Sequence, residues 1–385
     1  MDDRRLQRPD TAVPLSPPGP AAPEPARLAA GALIVIAFAV VLFLLVQARF
    51  LLISLAVAII LFSLTSDAIS FIARQRVGPL RIPNWLASLA AVAFLAALIL
   101  SLTSIIIAQI NTVLVTTLAY LEQAPQAVAG MVRWLGDDAE AAVLNSLQTI
   151  EIGGYIRTIA GSASDLMQGS VLVILFVGFL FAERVWFNAK LMNFVGDPAQ
   201  ADRVGRIIGS IIHRVNRYLL VKTGVSLVTG AMVYGVARAF GLELAMALGI
   251  LTFILNYLPN IGSIVATVLI ALVAHVQLGS AGTTASIFVI CTLIQFVNGS
   301  IIDPMLMGRA LRLSPFVIIF ALAFWGAVWG VPGMFLSVPI MVAIMIVCSE
   351  IPALRGVAIL LSREGLPEPE TRPDPGLLAR QEAAE

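Results

Sequence analysis

Of the chain's 385 residues, 59% are hydrophobic and only 12% charged, and the mean hydropathy is +0.95. Polar side chains are too few to cover a soluble globule of this size, so the sequence reads as an integral membrane protein. A net charge of +1 gives no reason to expect nucleic acid as a partner.

Apolar runs of about 17–25 residues recur along the chain, long enough as helix to cross a ~30 Å hydrocarbon layer, and no strand-length alternation suggests a barrel. The expected fold is all-α and polytopic, with roughly eight membrane segments of which two are broken or hairpin-like, and with amphipathic surface helices. Residues 1–27 are polar and proline-rich, a composition that cannot bury enough apolar area to offset ordering entropy, and read as a disordered tail. Residues 28–107 hold the first three spans, near 28–46, 51–64 and 86–107, with Arg74, Arg76 and Arg81 clustered before the third. Residues 108–166 turn polar and lean acidic but keep helical periodicity, as at Ile110, Val113, Leu114, Leu118 and Leu121, and read as an amphipathic insert.

A fourth span at 167–181 leads into a basic stretch at 182–217. Within it Asp197 and Pro198 suit the N-cap and N1 positions of a helix, and Val204, Ile207, Ile208, Ile211, Ile212 and Val215 form an apolar stripe beside Arg203, Arg206, Arg214 and Arg217. That helix is expected to lie along or under the bilayer. Residues 218–361 then form a transport half, and 362–385 a second polar tail. Basic segments alternate with the acidic insert so as to place both termini and the 182–217 stretch in the cytoplasm, with the insert outside a bacterial inner membrane.

The transport half contains two apolar stretches interrupted in their middles. The first has halves near 244–257 and 261–277, separated by NYLPNIGS; the second is interrupted around 330–333. Proline removes a backbone donor and clashes with the preceding helical turn, so each break is expected to free N–H and C=O groups at membrane depth. Such backbone is tolerated where it is packed in protein or lines a wet cavity, and paired interruptions point to a substrate pathway. With a span at 285–301 between them, the two segments would enter from opposite faces, as hairpins or as fully spanning pairs.

Asn256, Asn260 and Ser263, with Pro259 and Gly262 setting the turn, form either a site for a small polar solute or a turn whose asparagines cap loose backbone ends. Gln295 within the intervening span is interhelical glue or pore lining. Asn298, Asp303, Pro304 and Gly308 mark a helix end and hinge, where Asp303 is expected to pair with Arg309 or Arg312 at the cytoplasmic boundary; ion coupling is its alternative role. Gly326 and Gly330 make a GxxxG, read as close helix packing or as backbone exposed to substrate, and Pro332 and Gly333 complete the second break. Cys291 and Cys348 fall in apolar runs and read as buried small hydrophobes, with no metal site, disulfide framework or cofactor signature. His213 and His275 belong to no HExxH, and neither a G-x-S-x-G nor a phosphate loop is present, so no enzymatic reading is supported.

The pairing of YLPNIGS (257–263) with IIDPMLMGRALRLSPFVIIFALAFWGAVWGVPGMFLSVPI (301–340) resembles the autoinducer-2 exporter family of transporters, as does the order of elements over 28–361. The resemblance implies a polytopic permease; some members are associated with export of the signal autoinducer-2 and others with sodium–proton exchange. In that family a second proline usually follows the glycine of the first break, where this chain has Ser263. The expected partners are therefore a small polar solute, the lipid bilayer and further copies of the chain. A membrane scaffold that transports nothing is the remaining reading.

Overall fold

A computed structural model describes residues 24–74, 84–119, 152–259, 261–307, 313–363 and 365. Among them seven helices are long and apolar enough to cross a membrane. The chain divides into two units, Met1–Ala48 and Arg49–Glu385. The first contains α1 (Glu24–Gln47), which starts inside the stretch expected as a tail. Its described side chains are mostly exposed, Leu33, Ile34, Phe38 and Phe43 among them, as befits an all-round apolar helix in lipid.

In the second unit α2 (Arg49–Arg74), α3 (Asn84–Ala119) and α4 (Ile152–Glu183) pack together. Ala58, Leu95, Val177 and Phe181 form their core, with Phe62 edge-on to Phe181 at 4.8 Å. Thr103 and Ser170 satisfy each other across α3 and α4 at 2.8 Å, which removes the cost of two hydroxyls buried in apolar surroundings. The helices α3 and α4 include both ends of the 108–166 stretch; residues 120–151 lie outside the described residues.

After the short α5 (Phe187–Val195) comes α6 (Pro198–Ala239). Asp197 caps it, accepting from the Ala199 N–H at 3.0 Å, and Pro198 occupies its first position. Its 42 residues make a rod of roughly 63 Å, about twice the hydrocarbon thickness. Part of the apolar stripe on its first half is covered by protein: Val215 lies in a core with Leu313, Val317, Val338 and Val342, and Ile207 and Ile211 pack partly buried against it. Lipid and a neighbouring helix both favour apolar residues, so the stripe alone did not distinguish them.

The rest comprises α7 (Ala245–Leu255), α8 (Ile261–Leu278), α9 (Ala281–Val297), a π-helical turn (Asn298–Ile302), α10 (Asp303–Met307), α11 (Pro315–Glu350) and α12 (Arg355–Leu361). A core of Val233, Ala237, Leu248, Ile270, Ala274 and Ile287 joins the far end of α6 to α7, α8 and α9. At the other end α12 folds back, with the Ser314 N–H donating to the Leu361 carbonyl at 2.9 Å and Leu313 bridged to Ser362. Ser362, expected to begin a free tail, is thus held.

Candidate solute-binding site

Each interruption reverses the chain, and a glycine lets each reversal close. Gly262 lies so tightly against the Leu255 carbonyl that a methyl group there would overlap it. Seven residues of continuous helix would separate those groups by about 10 Å, so the contact requires α8 to double back on α7. Within α11, Gly330 takes φ 67°, ψ −149°, a conformation open essentially to glycine alone. Gly333 then presses on the Trp325 carbonyl, while Val331 and Pro332 at the tip are exposed. The Gly326–Gly330 pair therefore presents no helical face to a neighbour. Gly330 leaves the helix, and a Cβ on Gly326 would meet Met334 of the same hairpin at 2.7 Å.

Among its described residues the first break does not leave the expected row of orphaned amides. The N–H groups of Asn256, Tyr257, Leu258, Ile261 and Gly262 are all paired to carbonyls within the turn. The polar groups available there belong to side chains.

Both hairpins lie along α6, approaching from its opposite ends. On one side Gly230 of α6 and Gly249 of α7 bring backbones together: a Cβ on Gly230 would lie 2.8 Å from the Gly249 oxygen. On the other, the return arm of α11 descends beside α6, with Val338 and Val342 sharing a core with Tyr218 and Val215 and Glu350 reaching Arg203 at 3.2 Å. The hairpins meet near residues 222–226 of α6. There Tyr257 lies 5.4 Å from the ring of Phe335, and its hydroxyl shares a 2.7 Å hydrogen bond with Thr223.

At this level the buried polar side chains collect. Asn256 Nδ2 donates to Ser226 Oγ at 2.9 Å, and Asn298 Nδ2 donates to Asn256 Oδ1 at 3.4 Å. Lys222 Nζ pairs with Asp303 Oδ2 at 2.7 Å, with side chains 5% and 20% exposed. Lys222 and Ser226 share a face because they stand one turn apart on α6. Asn298 and Asp303 bracket the π-helical turn, closed by the Asp303 N–H on the Asn298 carbonyl. In an α-helix residues five apart would diverge by about 140°; the wider turn brings both toward α6. One turn before Asn298, Gln295 is 7% exposed, and among the described residues neither atom of its carboxamide has a partner. Asp303 Oδ1 is also buried without one.

Of the expected site residues, Asn256, Asn298 and Asp303 are brought together, with Gln295 beside them in sequence. Ser263 stands in the first turn of α8, where its carbonyl accepts from the Thr267 hydroxyl at 2.9 Å. Pro259 is half-buried in the turn, and Pro304 is the second residue of α10. Asn260 and Gly308 lie outside the described residues, as do Arg309 and Arg312. Among the described residues the partner of Asp303 is Lys222. Lys222 and Ser226 were not anticipated. The signal was present in VKTGVSLVTG: an ionisable residue inside an apolar span, with a hydroxyl one turn later. Among the described residues no three His, Cys, Asp or Glu side chains stand together as a metal site would require.

A sequence profile described as AI-2E family transporter matches residues 32–353, a range that includes both hairpins and the polar cluster. The chain belongs to the AI-2E transporter family. AI-2 transport protein TqsA of Escherichia coli is 34% identical to it over 202 residues, 52% of this chain and 57% of TqsA. A provisionally named transport protein of Haemophilus influenzae is 32% identical over 211 residues, 54% of this chain and 60% of its own. Another from Borreliella burgdorferi is 28% identical over 227 residues, 58% and 62% of the two chains. Each match thus spans about three fifths of the relative's length. In this AI-2E transporter, family and relatives alike are named for transport rather than catalysis.

Proposed function

We propose that this AI-2E transporter is a permease of a bacterial cytoplasmic membrane, with both termini in the cytoplasm. Its cargo is a small, uncharged, polar solute, and the paired hairpins carry it by moving against the earlier spans. The observation that supports this most is the polar cluster at the meeting of the hairpins: Ser226, Asn256 and Asn298 already joined, and the Gln295 carboxamide buried with no partner for either atom among the described residues. Orphaned amide atoms cost about 1–3 kcal/mol, and a transient hydrogen-bonding solute would recover that energy. The name of TqsA makes autoinducer-2 the first cargo to test.

The test measures autoinducer-2 movement in everted membrane vesicles carrying the wild-type chain or Asn256→Leu. Expected is movement by wild type that the substitution abolishes at unchanged protein level. Equal movement in both would remove the site, whereas no movement of autoinducer-2 or of any solute in a panel of polar metabolites and monovalent cations would favour the scaffold reading.

Sodium–proton exchange is a second reading, favoured by Asp303 Oδ1, which has no partner among the described residues. It predicts a sodium-driven pH change in the same vesicles that disappears in Asp303→Asn. Against it stands Lys222, whose ammonium already neutralises that carboxylate.

A further inference from the structure

The uncovered apolar surface of the basic region lies on α5, not on the striped half of α6. The nine residues of α5 include none that is buried. Val185, Trp186, Phe187, Met192 and Phe194 are all exposed, Phe194 at 90%. A water-facing surface rarely leaves so many large apolar side chains uncovered within ten residues. At about 14 Å the helix is too short to cross a bilayer. Its placement is set by covalent continuity. The candidate span in α4 ends at Glu183, and the Trp186 N–H donates to the Glu183 carbonyl at 3.0 Å, so α5 starts within a turn of the span's end. Gly205 of α6 receives Leu191, where a Cβ would find its side chain at 3.9 Å, and this fixes one side of α5. Phe187 and Phe194, one turn to either side of Leu191, stay exposed beyond that contact and are free to meet a membrane.

Arg184, Lys190 and Arg206 are exposed nearby, as are Glu183 and Asp202, and Lys190 pairs with Glu183. Charges of both signs around an apolar, tryptophan-bearing helix at the end of a span suit the boundary between headgroups and acyl chains.

We infer that α5 is an interfacial anchor, its Trp186 and Phe194 side chains set into the leaflet in which α4 ends. The anchor fixes the height of α6 relative to the membrane, and with it the depth at which the hairpins meet. The experiment uses the full chain in vesicles of phosphatidylethanolamine and phosphatidylglycerol, with Cys291→Ala and Cys348→Ala and a nitroxide on Phe194→Cys or, separately, on Trp186→Cys. Collision with oxygen is compared with collision with a water-soluble nickel chelate. References are Phe179→Cys, exposed on the α4 span, and Asp202→Cys, exposed near the start of α6. Expected at both anchor positions is an oxygen-to-nickel ratio several-fold above that at Asp202→Cys and close to that at Phe179→Cys. A ratio matching Asp202→Cys would overturn the anchor, as would spin–spin broadening that vanishes on dilution with unlabelled protein, which would assign the face to a second copy.

Discussion

Replacing Lys222 by Met is the sharpest perturbation of this site. The ammonium and the Asp303 carboxylate stand 2.7 Å apart, with side chains only 5% and 20% exposed. Removing the cation leaves a buried carboxylate whose second oxygen already has no partner among the described residues. The expected loss of unfolding free energy is about 3–5 kcal/mol, because an uncompensated buried charge costs far more than the net worth of the pair. Asp303→Leu alone should cost a similar amount by stranding the ammonium. The double replacement removes both desolvation penalties together with the attraction, and should fall within about 1 kcal/mol of wild type or exceed it. Denaturant unfolding of the four purified proteins, followed by far-ultraviolet circular dichroism, closes the cycle. Losses that simply add, to within about 0.5 kcal/mol, would show that the two groups do not act as a pair. The double variant also divides the functional readings. An uncharged solute held by amides should still cross, whereas sodium–proton exchange should be lost.

The other predictions concern the turns and the orphaned amide. Gly262→Ala and Gly333→Ala should each prevent accumulation of folded protein, since the new methyl meets a carbonyl of the opposing arm, whereas Gly326→Ala should be tolerated because it meets only the flexible end of Met334. Detergent-solubilised yield and gel-filtration profile measure both. Gln295→Leu should raise unfolding free energy by about 1 kcal/mol, having removed two unsatisfied buried atoms, and lower autoinducer-2 movement about tenfold; unchanged movement would remove Gln295 from the pathway. Tyr257→Phe loses the Thr223 hydrogen bond and keeps the ring against Phe335, so its cost should be about 0.5–1.5 kcal/mol by the same unfolding assay. Tyr257→Ala should cost more, because the contact between hairpins goes as well.

Most of the architecture was legible because the signals were local. Apolar length marks the spans, Asp197 and Pro198 mark the start of α6, and NYLPNIGS and GVPG mark the reversals. What escaped depends on which surfaces meet. The stripe of Ile207, Ile211 and Val215 is equally compatible with lipid and with α11. The described partner of Asp303 is 81 residues away on another helix, a pairing that no local spacing announces. Lys222 was absorbed into a run of basic residues because Arg214 and Arg217 precede it, although Val221 and Val225 on either side are apolar. Ser226 is legible only as a hydroxyl one turn beyond Lys222, and its role follows once Asn256 is placed against it.

The source of polarity at the breaks bears directly on mechanism. The first break was expected to matter through unpaired main-chain groups, but the turn satisfies its own described N–H groups. A hairpin so closed can move as a unit without exposing backbone to lipid, which a merely unwound segment could not do. Its ties to α6 differ in strength. Gly230 against Gly249 and Asn256 on Ser226 hold the first hairpin through close backbone packing and a buried hydrogen bond. At the tips the described contact between hairpins is a tilted pair of rings, Tyr257 and Phe335, worth about 0.5–1.5 kcal/mol beyond area burial. If the hairpins shift during transport, that contact should yield before the others. A disulfide through Tyr257→Cys and Phe335→Cys should then arrest autoinducer-2 movement on oxidation and release it on reduction; movement that persists with the disulfide formed would place the moving boundary elsewhere.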